Sequence, residues 1–248
     1  MPGPIIAVVS RKGGVGKTTL AYEMAALMSA VLVDLEHEPG GATHRWDPEL
    51  VETPDERLGR AIRRPGKAPR PRSRARRPLL VPSDPMLAFP LADTETLAGL
   101  LSGWRDQWDD RTVVIDTHPG ACWTTDAAIA ASDCCVVPLT LGDGSWAATR
   151  ALVGELGGRR VAVVPTRLRG RPPEHYVARL EELAGQPGVT ITSAVTEHSF
   201  LDRVKRPGVP LCMAGRLGDA RAAAAAQFRQ VAMDVLERAL PSVDEGGA

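Results

Sequence analysis

Two lysines, two threonines and three glycines crowd into eight residues near the amino end, Lys12-Gly13-Gly14-Val15-Gly16-Lys17-Thr18-Thr19. Glycines in such a run let backbone N–H groups turn inward around an anion with no β-carbon in the way. A helix beginning at Lys17 would add the partial positive charge of its amino terminus. Lys17 then reaches the β- and γ-phosphates of a bound nucleotide, and the Thr18 hydroxyl is placed to bind Mg²⁺. Gly13, Gly14, Val15, Gly16, Lys17, Thr18 and Thr19 are therefore the candidate phosphate-binding residues. The standard phosphate-loop pattern has glycine where Arg11 stands, and Lys12 supplies a second lysine inside the loop.

Two acidic sites follow. The run Val31–Leu35 carries Asp34, with Glu36 just beyond it. Asp34 and Glu36 share a side if the backbone stays extended, and Glu38 is a rival for the second position. Val113-Val114-Ile115 ends at Asp116, and an aspartate closing a buried strand is the usual Mg²⁺ ligand of phosphoryl-transfer sites. After it comes Thr117-His118-Pro119-Gly120, in which Gly120 would let the backbone approach a γ-phosphate. His118 reads as an exposed loop histidine.

Short β-branched runs alternate with segments of helical periodicity. Strands are expected at Ile5–Ser10, Val31–Leu35, Leu79–Val81, Thr112–Ile115, Cys134–Val137, Arg160–Val164 and Val189–Ile191. Helices are expected at Lys17–Met28, Pro54–Arg64, Thr94–Trp108, Ser145–Leu156, Pro173–Leu183, His198–Lys205 and Asp219–Leu240. The pattern predicts an α/β fold with a mostly parallel twisted sheet and helices on both faces. Ligands of such sheets sit at the carboxyl ends of the strands, where all three sites fall. One domain over residues 1–240 and a flexible tail at 241–248 are expected.

Basic and acidic residues balance at 30 each, but the balance is uneven along the chain. Ten basic residues and no acidic one lie between Arg57 and Pro78, leaving 20 basic against 30 acidic elsewhere. This Pro/Arg-rich insertion, at about 57–78, is expected to be extended beyond its first residues. It lacks aromatic residues for base stacking, so it would act on phosphates alone. DNA-backbone binding through Arg63, Arg64, Arg74 and Arg76 is the preferred reading, with a protein contact or a solvated loop as alternatives. Cys122, Cys134, Cys135 and Cys212 show no C-x-x-C spacing, so reduced thiols in a cytosolic protein are expected. No leader-like segment is apparent, and the longest apolar stretch, interrupted by Asp133, is too short to span a bilayer.

Lys-Gly-Gly-x-Gly-Lys-Thr-Thr resembles the deviant Walker A motif of the ParA/MinD family of P-loop ATPases (SIMIBI-like NTPases). The resemblance implies ATP and Mg²⁺ as ligands and an ATP-sandwich homodimer in which Lys12 crosses to the other subunit's nucleotide. It implies catalytic roles for Lys12, Lys17, Asp34 near the Mg²⁺ shell, and Glu36 positioning the attacking water. The family usually carries Asp-x-Asp, so Glu36 is one methylene longer than expected. Val163-Val164-Pro165-Thr166-Arg167 falls where the family places its base-contacting loop, which makes Pro165 and Thr166 nucleotide-binding candidates. Arg203, Lys205, Arg206 and Arg216 are the corresponding DNA-binding candidates.

The partition-type reading adds non-specific DNA, a centromere-binding ParB-like partner and a nucleoid-associated cytoplasmic location. The chain's start at its first strand fits the short, non-autoregulating type. A MinD-like membrane cycle is disfavoured by the acidic, proline-containing end Leu240–Ala248. A cluster-carrier reading would use Cys122, but a second ligand cysteine upstream of Asp116 is missing. A nucleotide switch with weak hydrolysis is the remaining alternative, because of Glu36.

Overall fold

The computed structural model describes residues 2–52, 55–202, 208–214 and 217–239. In chain order the elements are β1 (Ile5–Val8), α1 (Lys17–Leu27), β2 (Val31–Asp34), α2 (Ala42–Trp46), α3 (Glu49–Glu52), α4 (Arg57–Arg63), β3 (Leu79–Val81), α5 (Thr94–Gln107), β4 (Val113–Asp116), α6 (Trp123–Ala131), β5 (Cys134–Thr140), α7 (Asp143–Leu156), β6 (Val161–Leu168), α8 (Glu174–Ala184), β7 (Val189–Ile191), β8 (Val195–Thr196), α9 (Ser199–Asp202) and α10 (Asp219–Ala239). The strands form one eight-stranded sheet in the order β3-β2-β4-β1-β5-β6-β7, with β8 also pairing β6. Every pairing between these strands is parallel.

Period-two alternation sorts each strand between two cores. Ile5 and Ala7 of β1 face a layer built with Leu97, Leu101 and Trp104 of α5 and Leu152 of α7. Ile6 and Val8 face the opposite layer, built with Leu20 and Met24 of α1 and with Phe228 and Val231 of α10. Both faces are covered, so the central strands are apolar throughout, as parallel sheets require. Asp93 caps α5, accepting from the Thr96 N–H at 2.6 Å.

Register positions the site. Val8 pairs with Asp116 and Asp34 pairs with Asp116, so β1, β2 and β4 end at one level. The chain leaves all three strands on the same edge of the sheet.

The insertion is more ordered than its composition predicts. Its first residues form α4, and residue 72 makes an antiparallel bridge to Leu80, with Arg72 N–H donating to Leu80 O at 2.6 Å and Leu80 N–H returning at 3.0 Å. Asp55, 7 % exposed, is bound by both Arg57 and Arg72, whose guanidiniums hold its carboxyl down at about 2. Arg74 pairs with Asp47 at 3.0 Å, Arg76 donates to Met213 O at 2.9 Å, and Arg77 lies over the Trp46 ring. Several of these arginines thus have partners, although Arg74 and Arg76 stay exposed, as do Arg63, Arg64, Lys67 and Arg70.

Candidate functional site

The phosphate loop lies between β1 and α1. Gly14 (φ 74°) and Gly16 (φ 96°) are in the left-handed region that favours glycine. A β-carbon built at Gly13, Gly14 or Gly16 would meet nothing within 4 Å, so there is open space beside the loop at each of them. Gly16 precedes the first turn of α1 with no side-chain cap, which leaves the helix's first N–H groups directed at that opening. β6 braces the loop from outside: Thr166 Oγ1 donates to Val15 O at 2.9 Å, and Arg167 donates to Gly14 O at 3.0 Å.

The two loop lysines are disposed in opposite ways. Lys17 is 7 % exposed, and burial lowers its pKa against the opposing pull of Asp116 and then Glu36. Lys12 is exposed, and its ammonium lies 3.5 Å from where a β-carbon on Gly144, in the first turn of α7, would stand. One lysine is buried beside the loop and the other is exposed.

Asp34 and Asp116 are both fully buried and sit opposite each other on neighbouring strands. Asp34 spends its oxygens on backbone: it accepts from Glu36 N–H at 3.0 Å and from Thr43 N–H at 2.6 Å. It thereby ties the acidic loop to α2. Gly41 is required there, because a β-carbon would lie 2.9 Å from both Asp34 oxygens. Neither Asp116 oxygen has a hydrogen-bond partner among the described residues. The Thr18 hydroxyl lies near enough to lower its pKa, but outside hydrogen-bonding geometry. Burial, with the Asp34 charge beside it, pushes the Asp116 carboxyl up to about 8, and burial pushes Asp34 up to about 6. A buried carboxylate with two unused oxygens, next to a threonine hydroxyl at the foot of a phosphate cradle, fits a hard divalent cation with oxygen ligands. Asp116 and Thr18 are the residues that would hold Mg²⁺.

Glu36 and His118 meet above this pair. His118 Nδ1 lies 2.6 Å from Glu36 Oε1, with the two side chains only 19 % and 13 % exposed. This corrects the reading of His118 as an exposed loop histidine: both loops leave the sheet at the same level, and the histidine is drawn onto the glutamate. Glu38 donates its N–H to Glu36 Oε1 at 3.1 Å, so Glu38 supports Glu36 through its backbone. Ser83 Oγ donates to Glu36 O at 2.5 Å.

A second cavity, of about 60 Å³, adjoins the phosphate loop and is lined by Gly16, Thr19, Thr166, Arg167, Thr196, His198 and Phe228. Thr166, a nucleotide-binding candidate, lies here; Pro165, next to it on β6, is not among the lining residues. The remaining walls come from β8, α9 and α10. Thr196 Oγ1 lies 2.9 Å from His198 Nε2 and donates to Gln227 Oε1 at 3.1 Å. Sequence inspection missed this wall, since β8 is two residues long and carries no readable period.

It also missed Glu23, fully buried in α1, which pairs with Arg45 at 3.0 Å and accepts from Leu211 N–H at 2.8 Å. Arg45 in turn donates to Thr19 Oγ1 at 3.0 Å, joining α2 to the helix that begins at the phosphate loop. A glutamate amid the apolar run of α1 was the signal available. Cys122, at the start of α6, has the Thr124 and Thr125 hydroxyls at 3.2 Å. Arg203, Lys205, Arg206 and Arg216, like the tail at 241–248, lie outside the described residues.

No protein-family model matches the sequence, and no curated protein does. Solved structures do. A plasmid partition protein from Borrelia burgdorferi B31 bound to AMPPNP superposes with a TM-score of 0.70 at 18% identity, covering 96% of this chain and 100% of that one. The cell division ATPase MinD of Pyrococcus furiosus gives 0.71 at 18% identity, covering 95% and 99%. The septum site-determining protein MinD of Pyrococcus horikoshii, complexed with Mg-ADP, gives 0.70 at 16%, covering 95% and 96%. These identities carry the architecture, and over nearly its whole length the chain has the P-loop NTPase fold of the plasmid-partition and MinD proteins.

Proposed function

We propose that this chain is an ATPase of the partition type, which closes into a dimer on ATP, binds DNA without sequence preference and opens on hydrolysis. The observation that carries the reading is the division of labour between the loop lysines. Lys17 is buried under the cradle, while Lys12 projects from the same loop into solvent. A lysine held at the rim, outside its own phosphate site, suits contact with a nucleotide across a dimer interface.

Within one subunit, the backbone N–H groups of residues 13–19 and the Lys17 ammonium bind the phosphates, and residues around Thr166 and His198 bind the base. Mg²⁺, held by Thr18 and Asp116, supplies charge neutralisation on the phosphate oxygens when bound. Glu36 orients the attacking water, with His118 fixing the rotamer of its carboxylate. Asp34 holds the backbone that carries Glu36. Phosphoryl transfer depends chiefly on such positioning and on charge. The exposed Arg63, Arg64, Arg74 and Arg76, together with Arg203, Lys205, Arg206 and Arg216, are the DNA-binding candidates. Nucleoid association in the cytoplasm and stimulation by a centromere-binding ParB-like partner complete the proposal.

Light scattering and binding to non-specific duplex DNA, each with no nucleotide, ADP and ATP, test it in wild type and Lys12→Ala. Dimerisation and salt-sensitive DNA binding that need ATP and Lys12 support the reading. ATP-dependent dimers that ignore DNA but bind anionic vesicles would replace it with a MinD-like positioning role. A monomer in every nucleotide state would leave a switch with weak hydrolysis.

A further inference from the structure

Beside the phosphate cradle, three side chains converge that Mg²⁺ chemistry does not call for. Glu36, His37 and His118 each offer a ligand atom, and these atoms all lie within 4.8 Å of one another. The two imidazoles stack with centroids 4.3 Å apart and planes 25° off parallel. His37 Nδ1 is buried and has no hydrogen-bond partner among the described residues. A buried ring nitrogen without a partner is costly, and a nitrogen lone pair beside a carboxylate oxygen and a second imidazole is a ready acceptor for a cation. The loop bearing Glu36 and His37 also lines a cavity of about 240 Å³, along with Gly40, His44 and Ser83, which gives access from solvent.

We infer that Glu36, His37 and His118 form a binding site for a borderline transition-metal dication of the Zn²⁺ class, distinct from the Mg²⁺ position at Thr18 and Asp116. Two imidazoles and one carboxylate make a three-ligand set that leaves a fourth position for water. Tetrahedral Zn²⁺ with bonds of about 2.0–2.1 Å sets its ligands about 3.4 Å apart, so the donors draw together and the two stacked rings tilt apart to aim both lone pairs at one ion. Nitrogen donors discriminate against Mg²⁺, which keeps to oxygen ligands and its own waters.

The consequence for catalysis rests on the role proposed for Glu36, whereas the metal site itself does not. A cation on the Glu36 carboxylate takes it from the attacking water, so hydrolysis stops while nucleotide stays bound. The site would make this phosphate switch responsive to free zinc.

Cobalt(II) is the probe, because its visible absorption reports nitrogen ligation and low coordination number. Full-length wild type is titrated with Co²⁺ in the absence of nucleotide, then with Zn²⁺ or Mg²⁺ as competitor. One Co²⁺ per chain is expected, with an intense four- or five-coordinate spectrum displaced by Zn²⁺ and unmoved by millimolar Mg²⁺. H37Q and H118Q each weaken Co²⁺ binding at least tenfold, with unchanged melting midpoints showing that the fold is kept. K17A, which removes phosphate binding, leaves the Co²⁺ spectrum as in wild type. A spectrum that stays that of the aqua ion, equal binding by the H37Q/H118Q double variant, or loss of binding in K17A would each overturn the site. If Co²⁺ binds as expected but Zn²⁺ fails to inhibit hydrolysis, the metal site stands and the role of Glu36 falls.

Discussion

Asp116 offers the most direct test of the site's electrostatics. Its carboxyl is fully buried, lacks hydrogen-bond partners among the described residues and is pushed up to about 8. The unfolded chain ionises this group near 3.8, so between roughly pH 4 and 8 the folded state binds more protons, and stability must fall as pH rises. At ~1.36 kcal/mol per pH unit, the difference amounts to about 4 kcal/mol at pH 7, a ceiling that water entry lowers. Asp116→Asn removes the charge but leaves an amide with unmade hydrogen bonds, costing about 1–3 kcal/mol. Without nucleotide or Mg²⁺, the variant should match or fall slightly below wild type at pH 5, and exceed it by about 1–3 kcal/mol at pH 8. Urea unfolding at the two pH values reads this crossover. At a Mg²⁺-ATP concentration a hundredfold over its Kd wild type gains about 2.7 kcal/mol, and the same variant should gain less. A variant that is less stable by the same margin at both pH values would refute the buried-charge argument.

Four further outcomes are expected. Arg72→Ala leaves the buried Asp55 with one guanidinium instead of two and should cost about 1–2 kcal/mol by thermal or chemical melting, while Arg63→Ala and Arg64→Ala stay within about 0.5 kcal/mol. The second pair should instead lower the salt slope of DNA binding, by about one for each phosphate that the arginine neutralises. Glu23→Gln, which strips the charge from the partner of buried Arg45, should destabilise by about 3 kcal/mol in equilibrium unfolding. Glu36→Gln should retain ATP binding within about threefold and lower kcat at least tenfold in a phosphate-release assay, as for loss of a group that acts on the transition state.

Much of this site is legible in the sequence because its signals are local. The glycines of the phosphate loop, Lys17 and Thr18 act through backbone geometry within one turn, and Asp34 and Asp116 announce themselves by ending buried runs. Pairings set by register are hidden. Nothing in the spacing of Glu36 and His118, 82 positions apart, says that β2 and β4 end level. The strand after α7 also runs further than expected, to Leu168, since Pro165 reads as a stop. Its neighbour β5 continues to Thr140, opposite Thr166, and β8 pairs it on to Leu168, with a register shift between Thr166 and Leu168 where Arg167 adopts φ 56°. The arginine-rich insertion misleads in the other direction: composition suggests a solvated ribbon, but Asp47 and Asp55 lie just upstream and bind three of its guanidiniums.

The bridge between Arg72 and Leu80 bears on how molecules of this kind stay apart in a crowded cell. β3 is the outermost strand on its side of the sheet, and an open edge there would template pairing with another chain. Residues 69–72 run past that edge with two prolines and two arginines, occupying its hydrogen-bonding groups at Leu80 and offering few of their own. Sheet extension at Leu80 is thereby blocked on this flank, which suits the proposed dimer, in which two copies would meet through the face bearing Lys12.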